Sequence, residues 1–120
     1  MRYMMIHYID ESILQNWDAG EDDAAWGPQE DEALKAWDAE MIGRGILAGG
    51  GVLRPGSQTT TLRVRDGELL LTDGPFAETK EQIAGYAVLE CASIDEAIEV
   101  SSRHPTAKIG TFELRPFAEG

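Results

Sequence analysis

The sequence predicts an α+β domain: β-α-β, an inserted hairpin, then β-α-β, as one antiparallel sheet with helices on one face. Three observations carry that reading. Six short runs have strand-like composition, two stretches have helical start signals, and Asp66-Gly67 sits between two of the strand runs as a two-residue hairpin turn. Two helices cover only one face of such a sheet, so the other face needs a second layer, most simply a second copy of the chain. The pattern therefore predicts a homodimer through the open sheet faces.

Taken in order, residues 2–9 read as a central strand that is apolar on both faces. Met4, Ile6 and Tyr8 take one face; Tyr3, Met5, His7 and Ile9 take the other. Asp10 to Gly27 is acidic and irregular, with Trp17 and Trp26 as isolated anchors. Residues 28–44 read as a helix, because Pro28 suits a first turn and Glu30, Asp31 and Glu32 complement the positive end of the dipole. Leu34, Trp37, Met41 and Ile42 form its apolar stripe, and Gly45 closes it.

Residues 46–53 read as a strand interrupted by Gly49-Gly50-Gly51, which implies a bulge or a close backbone approach. Strands over 59–65 and 68–72 flank the Asp66-Gly67 turn, and 83–91 forms the next strand. There Tyr86, Val88 and Glu90 oppose Ala87, Leu89 and Cys91 across the sheet. Ser93-Ile94-Asp95-Glu96 is a capping box that opens a second helix with Ala97 and Ile98 buried, ending at His104-Pro105. A last strand over 109–115 puts Gly110, Phe112 and Leu114 on one face and Thr111, Glu113 and Arg115 on the other.

Length and composition suit a single domain spanning 1–120 with a real core. Charge is the outlying property: 22 acidic against 10 basic residues gives −12. That field repels phosphate backbones, which argues against direct nucleic-acid binding. Half of the acids fall between Asp10 and Glu40, where Lys35 is the only base. The stretch reads as a solvated face or as a docking surface for a basic protein partner. Cys91 is the only cysteine, no run is long and apolar enough to cross a bilayer, and no cleavable leader is visible, so the expected compartment is the cytoplasm without membrane attachment.

Thr72 to Gln82 holds the densest set of special residues. Gly74 accepts backbone angles closed to other residues, Pro75 fixes φ, Asp73 bonds turn amides, and Phe76 pins the loop to something apolar. The run DGPFAETKEQ, with the opening Met1-Arg2-Tyr3-Met4-Met5, the triple glycine, Arg63 to Gly67 and the closing Phe112 to Pro116, resembles the DGPF subgroup of the YCII-related family over nearly the whole chain. The resemblance implies a ferredoxin-like fold that pairs into a dimeric α/β barrel. It also implies a His–Asp pair in a cleft, of which Asp73 supplies one half.

Two readings of function follow. One is a small-molecule-binding or cofactor-free proton-transfer enzyme with a cleft near Asp73. The other is a non-catalytic dimeric interaction module, an accessory to transcription regulation, since many DGPF members are encoded beside sigma factors.

The candidate catalytic residues are Asp73, His7 and His104, and the candidate substrate-binding residues are Phe76, Tyr86 and Glu113. If Leu89, Phe112 and Leu114 face the helices, His7 falls on the opposite face between Glu90 and Glu113, where a carboxylate would orient the ring and raise its pKa. His104, at a helix end, is expected as a C-terminal cap in its cationic form. One cysteine and two distant histidines make no metal cluster, and no phosphate loop or dinucleotide fingerprint is present, so no metal or cofactor is expected.

Overall fold

The computed structural model describes residues 1–13 and 27–118. The expected anchors Trp17 and Trp26, and most of the acidic stretch, lie outside the described residues. The elements are β1 (Arg2–Asp10), α1 (Pro28–Gly43), β2 (Leu47–Val52), β3 (Thr60–Arg65), β4 (Glu68–Asp73), β5 (Glu81–Glu90), α2 (Ile94–Ser102) and β6 (Gly110–Pro116). Single 3₁₀ turns occur at Gly56–Gln58 and Pro105–Lys108.

Local chemistry explains both helices. At the start of α1 the Glu30 carboxylate accepts the Gly27 N–H at 2.9 Å, and Pro28 occupies the first turn. At its end Gly45 takes φ 71°, which lets Gly45 N–H reach Ile42 O and Ile46 N–H reach Met41 O. α2 opens where Ser93 Oγ accepts the Glu96 N–H at 3.2 Å, while the Glu96 carboxylate reaches back one residue further than expected, to Ala92 N–H. Its buried face is Ala97, Val100 and Ser101, and Ile98 is exposed, contrary to expectation. Spacings of three and four residues define one helical stripe, and position 98 falls beside it. Ile42 at the end of the α1 stripe is likewise exposed.

The four-stranded sheet has the order β2-β5-β1-β6, with every neighbouring pair antiparallel. This is a ferredoxin-like α+β fold. Tyr3, Met5, Trp37, Met41, Ile46, Ala87, Leu89, Cys91, Ala97 and Val100 form the core between the sheet and the helices. Trp37 ties α1 to α2 by donating its indole N–H to Val100 O at 2.8 Å.

Register corrects the expected faces of β1. Met5 lies opposite Ala87 and Leu114, and His7 opposite Gly85 and Phe112. Directly paired residues project to the same side of a sheet. Tyr3, Met5 and His7 therefore share the helix-covered face with Leu89, Phe112 and Leu114. The open face carries Met4, Ile6, Tyr8, Tyr86, Val88, Glu90 and Glu113.

The glycine strand shows both devices that its composition implies. The β2–β5 register shifts between Leu47 and Gly49, and a Cβ on Gly50 would stand 2.5 Å from Tyr86 O. The β3–β4 hairpin turns at Asp66 (φ 52°) and Gly67 (φ 77°), the two left-handed residues of a tight hairpin. It pairs with no other strand among the described residues. The radius of gyration, 16.4 Å, exceeds the about 13–14 Å of a compact chain of this length. No helix among the described residues is long and apolar enough to cross a membrane.

Candidate functional site

A cavity of about 810 Å³ opens between α1 and the β2 side of the sheet. Its sheet wall is unusually bare, because Gly49, Gly50, Gly51 and Gly85 present backbone rather than side chains. Trp37 and Leu34 line it from α1, and both histidines reach it. His7 enters from the centre of β1, opposite its partner Gly85. His104 enters from the turn after α2.

The two histidines are neighbours, with ring centroids 5.0 Å apart in an edge-on arrangement. Phe112 lies 4.6 Å from the His7 ring and Trp37 4.8 Å from the His104 ring. His104 Nδ1 accepts the Thr106 N–H at 3.0 Å, so Nδ1 bears the lone pair and Nε2 the proton. His7 Nε2 is buried and has no hydrogen-bond partner. Loss of hydration lowers the pKa of each from 6.5 to about 4, and His7 adds to the effect on His104. Both are neutral at pH 7.

These observations correct two expectations. No carboxylate raises the pKa of His7, since Glu90 and Glu113 belong to the other face. His104 is not a cationic helix cap; it caps the start of the following turn, as an acceptor, and it is 6% exposed. A helix dipole favours a cation by about 0.3–1 kcal/mol, while a fall of 2.5 pKa units corresponds to about 3 kcal/mol, so burial wins.

Asp38 is a site residue that sequence reasoning missed. It follows Trp37 on α1, lines the cavity, and burial pushes its carboxyl pKa up. A signal was present: Leu34, Trp37, Asp38, Met41 and Ile42 follow the helical stripe spacing, with one acid among four apolar residues. Glu11 also lines the cavity, with Oε1 accepting the Gly56 N–H at 2.6 Å.

The other sequence candidates lie apart from the histidine pair. Asp73 ends β4, exposed and opposite Thr60, and does not line the cavity. Phe76 is 73% exposed and pins nothing; the Arg63 guanidinium lies over its ring at 4.7 Å. With Thr61, Arg63, Leu70, Thr72 and Pro75 it lines a separate depression of about 300 Å³. Tyr86 borders the large cavity from β5, although its side chain belongs to the open face. Glu113 lies on that face too, where it accepts from the Tyr8 hydroxyl and pushes the phenol pKa up. Among the described residues no group of three His, Cys, Asp or Glu is placed to hold a metal ion.

The model of the YCII-related domain matches residues 1–119. The chain belongs to the YCII-related family. This YCII-related protein is 36% identical over 126 residues to an uncharacterized protein, R00369, of Rhizobium meliloti (strain 1021), a match covering 98% of this chain and 93% of that one. A solved structure with a similar fold is the 5-chloro-2-hydroxyhydroquinone dehydrochlorinase of Burkholderia phenoliruptrix AC1100, in complex with 2,5-dihydroxybenzoquinone. That match has a TM-score of 0.54 at 14% identity and covers 100% of this chain and 96% of the other. At that identity the likeness is one of fold.

Proposed function

We propose that this YCII-related protein is a proton-transfer enzyme acting on a small, largely apolar organic molecule bound between α1 and the sheet. The observation that carries the reading is the pair of neutral rings, His7 and His104, 5.0 Å apart at the wall of a cavity of about 810 Å³. That volume falls within the range of small-molecule sites, about 300–1,000 Å³.

The chemistry follows from protonation states. His7 is neutral at pH 7, so one of its ring nitrogens bears a lone pair and is the proton acceptor. His104 carries its proton on Nε2 and is a neutral donor for negative charge developing on a substrate oxygen. Trp37 and Phe112 keep the pair dry, which strengthens both interactions. The neighbouring fold of a dehydrochlorinase bound to a ring compound supports an enzyme of small organic molecules, without naming the substrate.

The test is proton exchange. Candidate carbon acids incubated with the protein in heavy water should take up deuterium, as read by NMR. His7→Phe should slow uptake by about 10²–10⁴-fold while its circular dichroism matches wild type. Equal uptake by the two proteins would reject the role given to His7.

A second observation favours an interaction role beside this one. Leu62, Val64, Leu69 and Leu71 project from one face of the β3–β4 hairpin, each more than half exposed. Isolated two-stranded hairpins are marginal in water. We propose that a second copy covers this face together with Met4, Ile6 and Val88 of the open sheet, making a homodimer.

A further inference from the structure

We infer that the cavity between α1 and the sheet selects a neutral or cationic apolar ligand, a hydrophobic amine or an uncharged hydroxylated ring, and rejects anions. The inference rests on reading that cavity as a small-molecule site, and it specifies the charge of what enters.

The wall supplies negative charge and no positive charge. Asp38 and Glu11 contribute carboxylates, His7 and His104 are neutral, and no Lys or Arg lines the cavity among the described residues. The two carboxylates differ in what they already hold. Glu11 has one oxygen engaged by the Gly56 N–H. Asp38 is half-buried, burial pushes its pKa up, and among the described residues no hydrogen bond or cation holds it down. Its carboxylate is the group that an incoming donor would satisfy.

Surroundings amplify the difference. Leu34, Trp37, Ile9 and Leu47 make the wall largely apolar, so charge–charge terms act through a medium less polarisable than water. The whole chain carries −12, so the field outside the mouth has the same sign as the field inside. A carboxylate or phosphate ligand would lose its hydration against two carboxylates with no compensating cation. An ammonium would pair with Asp38, and a hydroxyl would donate to it, while the apolar part of either molecule fills the space beside Trp37 and the bare glycine strand.

The experiment uses three probes on one ring system: naphthylmethylamine, naphthylmethanol and naphthoate. Each is titrated into the full chain by calorimetry at pH 7 and low salt. The amine should bind at least about tenfold tighter than the carboxylate, with the alcohol between them. Asp38→Asn should weaken the amine toward the affinity of the alcohol and change the alcohol much less, since Asn still accepts a hydrogen bond. This variant removes a desolvated charge at nearly constant shape, so it is expected to fold.

Binding of the carboxylate as tight as that of the amine overturns the charge inference and leaves the small-molecule reading standing. An amine advantage that Asp38→Asn leaves at its full size also overturns it, since attraction to the acidic surface would then explain the ranking. Failure of all three probes to bind overturns the small-molecule reading and this inference with it.

Discussion

Mild acid is expected to destabilise this protein through His7 and His104, and replacing His7 should remove part of that sensitivity. Each histidine has a folded pKa of about 4 against an unfolded value near 6.5. Each therefore stays neutral in the folded chain and takes its proton only on unfolding, so between those values the unfolded state binds more protons. Stability is complete above about pH 6.5, falls as pH drops, and stops falling near pH 4. From pH 7.5 to 5 one such histidine loses about 2 kcal/mol, at 1.36 kcal/mol per pKa unit. His104 is 6% exposed and carries nearly that amount. His7 is only half-buried, and solvent screening lowers its share to about 1–1.5 kcal/mol. The sum of about 3 kcal/mol is a large part of the about 5–15 kcal/mol that holds a domain folded. At a net charge of −12, protonation of surface acids relieves repulsion and so opposes rather than mimics the loss through the histidines. Urea midpoints at fixed protein concentration, read by circular dichroism from pH 7.5 to 5, measure the slope. His7→Phe should lose less stability over that range than wild type, by about 1–1.5 kcal/mol. Identical slopes would refute the assignment of His7 as buried and neutral, and a wild type that grows more stable on acidification would refute it for both rings.

Four further outcomes are expected. Gly50→Ala should cost about 1–3 kcal/mol in a denaturation experiment, because its Cβ meets the Tyr86 carbonyl at 2.5 Å and the edge strand has to move; an unchanged midpoint would show that β2 does not approach β5 so closely. Gly74 takes φ 99°, so Gly74→Ala should cost at least about 1 kcal/mol and more than Ala77→Gly, and equal midpoints would speak against a special conformation there. Replacing Leu62 and Leu71 together by Ser should convert the proposed dimer to monomer in light scattering without unfolding the sheet. A wild type that is already monomeric at micromolar concentration would sink the dimer. Asp73→Asn should shift stability by about 1 kcal/mol or less and leave ligand affinity unchanged, since Asp73 does not line the cavity of its own chain; weakened binding would mean that a paired copy delivers it to the site.

Local signals made most of the fold legible. Asp66-Gly67 demands two left-handed residues and supplies them, and Pro28 with Glu30 announces the start of α1 within a residue. The face of His7 was not legible, because β1 is apolar on both sides and alternation alone leaves its orientation open. Only pairing with β5 and β6 decides it, and that information is spread over residues some 80 to 110 positions away in the chain. His104 shows the same limit in electrostatics. Its place near a helix end is local and favours a cation weakly, whereas its burial is tertiary and opposes the cation more strongly. Gly85 joins the two points. It lacks a side chain where Gly51 O would stand 2.8 Å from a Cβ, which lets β2 close on β5, and it is the partner of His7. One missing side chain thus brings the bare glycine strand into the cavity wall, beside the strand pair that places His7. A slip of one residue between β1 and β5 would send His7 to the open face, away from His104, Trp37 and Asp38. The register of the central strand is therefore the structural feature on which the proposed chemistry depends.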